Sequence, residues 1–402
     1  MPVLSDFRHF DGLHWATGYI VNALAYQGVT APHTGKPYTE AMIMGVNGGI
    51  CAGYFTFHYE GFDPQVELLT YYPFNETLKA VFERLNIPTD VRQTDNPTKA
   101  TANIINALAR GKPAIVWADM FTLSYTADRP YSDAQMMTPI LVFGHDNDRV
   151  HIADRARVPL EVTAENLLKA QGAVRKFKHR VMTMDAPDSA RLPEAVRAGI
   201  QSTIAIMTEP PHFAPQAASN FGFAGLKKWA DELVDTRTKK GWAQKRPVGP
   251  ALYNVLKSSY RSLELYFTGG SGARGLFADF LDEAADVLEL PALRQVSADY
   301  RANAVLWREL AEAHLPDRIP LLSETRWLMR REYDLFIERG DALVEERQDL
   351  TQQLVDLRSQ TEESFPLNEA QAAELRADLH ERVLAIRDAE MSALEALRSA
   401  VS

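Results

Sequence analysis

The chain of 402 residues contains one cysteine, Cys51. One thiol closes no internal disulfide and builds no Cys-rich zinc site, so a disulfide-stapled secreted framework is excluded and a reducing compartment fits. Basic residues are in the minority, with 43 Lys and Arg against 53 Asp and Glu, a net charge of −10. Nucleic acids and anionic membrane surfaces both select clustered Lys and Arg, and the overall charge argues against either as a partner. No stretch reaches the roughly 18 apolar residues of a membrane span. The opening MPVLSDFRHFDG carries charges where a signal peptide needs an apolar run. The expectation from these absences is a cytoplasmic protein.

What is present is ordinary for a folded chain: 46% apolar and 24% charged residues, with a mean hydropathy of −0.24. At about 150 residues per domain the length predicts two or three domains. The first 184 residues mix elements. Apolar residues at Ala16, Ile20, Ala23 and Leu24 predict a helix over Leu13–Tyr26, closed by Gly28. A Gly-rich stretch, Gly45–Gly53, then runs into aromatic residues. Further helices are predicted from an N-cap at Asn75 to Leu85 and from Thr101 to Ala109, and strands at Ala114–Trp117, Ile140–Phe143 and Val150–Ala153. The last two are joined by Gly-His-Asp-Asn-Asp, which is hairpin-turn chemistry. Helices followed by paired strands predict an α+β domain over 1–184. A short polar linker at Asp185–Ser189 separates it from an all-helical domain over 190–318. The segment 319–402 reads as a long helical hairpin, one charged helix from Leu321 to Ser364 and a second opened by Asn368 and Gln371 as a capping box. Its partner is either the rest of this chain or a second copy, through which the protein would form a homodimer.

The reactive inventory lies in the first domain. Cys51, the histidines His9, His14, His58, His145 and His151, and the carboxylates Asp119, Asp146 and Asp154 contain the groups of a nucleophilic triad: a thiolate attacks a carbonyl, an imidazole moves the proton and a carboxylate fixes the tautomer. Each has a plainer reading. A lone cysteine between Ile50 and Ala52 also fits a small core residue, His145 fits a half-exposed hairpin position, and Asp154 fits a surface ion pair with Arg155. His9 and His14 are five apart and do not share a helical face, and zinc needs three or four ligands, so no metal site is expected. The Gly-rich segment 268–275, with Arg274 before a helix, reads either as an anion cradle or as a tight interhelical turn. Lys227–Lys228 and Arg237–Lys240 are the candidate basic patch for an acidic partner.

Several segments together resemble a known family. Gly12-Leu-His-Trp-Ala-Thr-Gly18 with the helix after it, Thr39-Glu-Ala-Met-Ile-Met-Gly45, Gly111-Lys-Pro113, Asp119 with Leu123-Ser-Tyr125, Ile140–Asp146 and His151–Arg155 resemble the butirosin biosynthesis protein H N-terminal family. Asn220-Phe-Gly222, Lys228–Asp231, Gly269–Gly272 and Phe280–Ala284 resemble the helical domain of unknown function that accompanies it. The resemblance covers about residues 5–315. It implies a papain-like, cysteine-protease-like fold used for acyl transfer from an acyl carrier protein to an amine in natural-product biosynthesis, with a phosphopantetheine-linked substrate and no other cofactor.

The family pattern places a His-Cys pair at the first helix, a His on the strand that leads into Gly144, and an Asp at the end of the next strand. This chain keeps His14 and Asp154 but has Trp15 at the nucleophile position and Thr138 at the histidine position. An indole forms no thioester, and a threonine hydroxyl is no base at neutral pH. Two routes remain. Cys51 acts from a neighbouring wall with His14 or His145 as base, or Trp15 and Thr138, with Asp119 and Tyr125 as further substrate-binding candidates, line a pocket for an acyl, peptidyl or aromatic ligand, brought by an acyl carrier protein or as a small molecule, with any catalysis by Asp154, His14 or proximity. The functions expected are therefore an amide-forming acyltransferase with a reshaped Cys-His-Asp site, a catalytically silent pseudoenzyme that binds a pathway partner, or a cysteine hydrolase or peptidase using Cys51.

Overall fold

The computed structural model describes residues 2–57, 63–71, 79–127, 135–265 and 268–402. In chain order its elements are α1 (Gly18–Tyr26), α2 (Glu40–Asn47), β1 (Ile50–Phe57), β2 (Gln65–Tyr71), α3 (Lys79–Arg84), β3 (Thr89–Arg92), α4 (Pro97–Ala109), β4 (Ala114–Asp119), β5 (Met137–Asp146), β6 (Arg149–Ala153), β7 (Leu160–Thr163), α5 (Ala164–Ala173) and β8 (Val181–Met184). Helices follow: α6 (Leu192–Thr208), α7 (Gly222–Val234), α8 (Trp242–Lys245), α9 (Pro250–Glu264), α10 (Arg274–Leu288), α11 (Leu293–His314), α12 (Pro320–Arg339), α13 (Val344–Glu363) and α14 (Glu369–Val401). The protein is thus a mixed α/β chain with a sheet-containing N-terminal part and a helical C-terminal part. Among the described residues no helix is long and apolar enough to cross a membrane.

The chain divides into two compact units, neither continuous in sequence: Met1–Ile43 with Phe74–Ala195 and Arg331–Thr351, and Met44–Pro73 with Val196–Arg330 and Gln352–Ser402. This differs from the three consecutive segments read from composition. The first unit holds a six-stranded antiparallel sheet in the order β3-β8-β4-β5-β6-β7. Its middle strand β4 is buried along its whole length, as the unbroken run Ala-Ile-Val-Trp-Ala requires, while β3 at the edge is exposed throughout. The expected β5–β6 hairpin is present. Asp146 faces Arg149, and the two-residue turn has Asn147 at φ 51°. Helix α1 packs on β5 and β6. Helix α4 starts earlier than the pattern predicted, because Asn96 accepts the Lys99 N–H at 3.0 Å and Pro97 occupies the first turn. The N-cap expected at Asn75 lies outside the described residues.

The second unit takes in the Gly-rich stretch and the antiparallel β1–β2 hairpin, which α7 and α9 cover. Gly45 explains why this segment joins the helices. A Cβ there would lie 2.1 Å from the Phe280 ring of α10, so only glycine allows the approach. At its centre the buried Arg274 gives Nε to Glu390 Oε1 at 2.7 Å, Nη1 to the carbonyls of Thr70 and Gly272, and Nη2 to that of Cys51. Its guanidinium also lies 4.2 Å from the Trp307 ring. Arg274 is a core residue, and the segment 268–275 is a turn rather than an anion cradle. The single charged helix expected over Leu321–Ser364 is two helices, α12 and α13, broken where Gly340 takes φ 59°. The capping box of Asn368 and Gln371 opens α14 as predicted.

Candidate functional site

The helix predicted from Leu13 begins only at Gly18, because residues 12–17 are clamped as a turn. The Asp11 N–H donates to Asn22 Oδ1 at 2.9 Å, and Asn22 Nδ2 returns a bond to the Asp11 carbonyl at 2.8 Å. Glu40, the first residue of α2, accepts the Leu13 N–H at 3.0 Å on Oε2, and on Oε1 the His14 N–H at 3.2 Å and the Thr17 hydroxyl. A Cβ on Gly12 would lie 3.2 Å from the backbone of Arg155, so the turn lies directly against the end of β6. His14 and Trp15 belong to this turn, whose Gly12 abuts the Arg155 backbone.

His14 is fully buried, and burial lowers its pKa to about 3. Its Nδ1 accepts the Ala16 N–H at 3.4 Å, which puts the ring proton on Nε2. It is a neutral imidazole and a weak base at pH 7. Trp15 is half-buried. Glu40 has the opposite perturbation: burial, then the Asp11 charge, raise it to about 7 against the bonds from Thr17, His14 and Leu13. Sequence reasoning passed over Glu40. An acidic residue in the first turn of a helix reads as an ordinary dipole partner, and nothing in local spacing links it to residues 13–17.

Asp154 lies just past β6. Arg155 Nε donates to its Oδ1 at 2.9 Å, Arg155 Nη2 to its Oδ2 at 2.8 Å, and the Tyr125 hydroxyl to Oδ2 at 2.9 Å. The ion pair expected at the surface is buried, with 8% and 2% of the Arg155 and Asp154 side chains exposed. Phe336 underlies it, stacked with Tyr125 and 5.2 Å from the Arg155 guanidinium. Arg347, paired with Glu332, donates to the Tyr125 carbonyl at 2.8 Å. The segment 331–351 thus buttresses Asp154, which the resemblance, ending near 315, did not indicate.

Thr138 is buried on β5 opposite Ala118, and its hydroxyl has no hydrogen-bond partner among the described residues. Leu141 faces Ala153, so Asp154 continues toward the Thr138 end of β5. His145 stands seven residues from Thr138 on the same strand, roughly 23 Å at strand rise. The structure does not bring His145 to Asp154. Its N–H donates to the Pro2 carbonyl at 3.0 Å, and burial lowers its pKa. Asp119 is occupied locally, accepting the Thr122 hydroxyl at 2.6 Å and the Met136 N–H at 2.7 Å. Each of its carboxylate oxygens thus already accepts a bond. Tyr125 is fully buried and held by Asp154, so it supports the site from below.

Cys51 belongs to the other unit. Its thiol donates to the Tyr71 carbonyl at 2.9 Å across the β1–β2 hairpin, and burial pushes its pKa up to about 12. Thiolate character is what a nucleophilic cysteine needs, and this environment removes it. His58, the third histidine considered for it, lies outside the described residues. Two groups of the first unit come out of this: Glu40 with the turn of residues 13–17, and Asp154 with Arg155 and Tyr125, and neither contains a thiol.

Residues 14–155 match the family model described as butirosin biosynthesis protein H, N-terminal, and residues 166–317 match that of a domain of unknown function, DUF4872. No curated protein matches the chain.

Proposed function

We propose, from the premise that the chain belongs through residues 14–155 to the butirosin biosynthesis protein H N-terminal family, that it is an acyltransferase-type protein of natural-product biosynthesis that works without a covalent enzyme intermediate. In this reading the sheet and α1 are a papain-like frame. The activated acyl group, on a carrier protein or small thiol, rests against Trp15 and Thr138. The acceptor amine nitrogen bonds to the acyl carbonyl carbon, the C–S bond breaks, and the thiol leaves with the proton that the amine loses. Proximity supplies the acceleration.

The observation that carries the reading is the pairing of an intact frame with an absent thiol. The turn, α1, β5 and β6 are present, the resemblance implies that Trp15 and Thr138 stand at the two reactive positions of the family pattern, and the one cysteine is a neutral core residue in the other unit. A second reading, a binding protein without chemistry, is favoured by Asp154, whose carboxylate is already filled by Arg155 and Tyr125. The hydrolase using Cys51 has no such support.

Incubation with acyl thioesters of a carrier protein and of small thiols, in the presence of amines, separates these readings. Amide product with no mass increase on the intact protein is the expected result, and Trp15→Ala should lower it. An acyl adduct on Cys51 would overturn the proposal. Donor binding with no product in any combination would leave the binding protein.

A further inference from the structure

The first unit carries a basic segment that the acyl-transfer reading does not use, Arg175-Lys-Phe-Lys-His-Arg180. In a chain of net charge −10 this is a local concentration of positive charge. Lys178 has Asp95 at 3.7 Å. Arg175 and Lys176 are exposed, and neither they nor Arg180 has a carboxylate partner among the described residues. Arg180 is built in. Its guanidinium lies 5.1 Å from the rings of both Trp117 and Phe177, which stack on each other at 6.0 Å, and its Nε is buried without a hydrogen-bond partner among the described residues. A guanidinium held against aromatic rings has lost much of its freedom before any anion arrives.

The backbone is held in an unusual form to achieve this. Lys178 and His179 both have left-handed φ, 48° and 44°, a conformation that non-glycine residues rarely adopt. Gln93 Nε2 donates to the Phe177 carbonyl at 3.2 Å and the Thr94 N–H to that of Lys178 at 2.8 Å, pinning the segment beside β3. In front of it is an open depression of about 520 Å³ lined by Gln135, Met137, Val174, Arg175, Lys176 and Phe177, within the roughly 300–1,000 Å³ of small-ligand sites. Met137 precedes Thr138, so the depression borders the same end of the sheet as the candidate site.

We propose that this depression binds the phosphate group of a small organic phosphate, with Arg175 and Lys176 on the phosphate oxygens, Arg180 supporting them across Phe177, and Met137 and Val174 against the ligand's uncharged body. The compact patch and its apolar wall fit a small ester better than a polynucleotide, which the acidic remainder of the chain repels. This inference goes beyond the acyl-transfer reading and does not depend on it, because the test measures binding alone.

Calorimetric titration of the full chain with coenzyme A, with pantetheine lacking phosphate and with a short single-stranded oligonucleotide is the experiment. The expected results are saturable binding of coenzyme A that weakens as salt shortens the Debye length from about 30 to about 8 Å, and none of pantetheine. The exposed double variant Arg175→Ala/Lys176→Ala should lose about tenfold or more in affinity, on the scale of two phosphate-directed cations. Arg180→Lys, which keeps the charge and removes the planar fork, should also weaken binding. Lys239→Ala/Lys240→Ala, on the other unit, should not. Wild-type affinity in the double variant, equal binding of pantetheine, absence of binding at low salt, or tighter binding of the oligonucleotide would each overturn the proposal.

Discussion

Arg155 folds back on the residue before it, so that Nε and Nη2 of its guanidinium meet both carboxylate oxygens of Asp154 at 2.9 and 2.8 Å. Both residues lie past the end of β6, where the strand's alternation no longer holds and Arg155 takes a left-handed φ of 52°. The acid that the family pattern would give to a histidine is therefore occupied by its own neighbour and by Tyr125.

Breaking that pair should be costly. Arg155→Met leaves a buried carboxylate with one neutral donor, and the loss of one partner of a buried pair costs about 3–5 kcal/mol. Asp154→Asn in the same chain removes the stranded charge, so the double variant should recover part of the loss. Urea unfolding of the two single variants and the double variant gives the coupling energy. Additive effects would show that the pair is not coupled.

Glu40 should make stability depend on pH in the direction opposite to an ordinary salt-bridged carboxylate. Its folded pKa, about 7, lies above the ordinary 4.5, so between these values the folded chain binds more protons than the unfolded one. Stability from this group is then fully present below pH 4.5 and is lost as pH rises through 7, by on the order of 3 kcal/mol. The geometry accommodates both states. Charged, Glu40 accepts the Thr17 hydroxyl; protonated, it donates to Thr17, whose hydroxyl then turns to the His14 carbonyl at 3.2 Å. Glu40→Gln should flatten the fall in urea midpoint between pH 5 and 8, and an unchanged slope in that variant would assign the dependence to another group.

The all-helical character of 190–318 was legible in the sequence, and α6 to α11 fall there. So was the β5–β6 hairpin, because Asn147 advertises its turn. The start of α1 was not, since Ala16 and Ile20 keep helical spacing through a turn that Glu40 and Asn22 impose from elsewhere in the chain. The assignment of the β1–β2 hairpin to the helical unit was equally hidden, because it depends on Phe280 reaching Gly45 across more than two hundred residues. Trp15, Thr138 and Asp154 were singled out by resemblance. The pairing of Asp154 with Arg155 was legible from their adjacency, but its burial and the bond from Arg347 to the Tyr125 carbonyl were not, because these are set by tertiary packing and not by local pattern.

Arg274 and Glu390 should matter more to stability than any surface pair. Both are fully buried, and Glu390 Oε1 also accepts the Trp307 indole N–H at 2.8 Å. Arg274→Met strands Glu390 and frees the carbonyls of Cys51 and Thr70, so a loss of about 3–5 kcal/mol is expected. By contrast Lys227→Ala, which removes an exposed pair with Asp231, should change the urea midpoint by less than about 0.5 kcal/mol equivalent. Similar effects for the two variants would refute the buried network as a stabilising element.

Cys51 should be inert in the folded protein. With the thiol pushed up to about 12, its thiolate fraction at pH 8 falls on the order of a thousandfold below that of a free cysteine of pKa ~8.5, and burial adds to the protection. Iodoacetamide should therefore label it at least about a thousandfold more slowly than free cysteine until denaturant is added, after which one equivalent should be taken up rapidly. Cys51→Ala should retain donor binding and any amide formation, because its thiol bonds the Tyr71 and Leu69 carbonyls across the hairpin. Native-state alkylation at the rate of a free thiol would return Cys51 to the position of nucleophile and would require the site to be rebuilt around it.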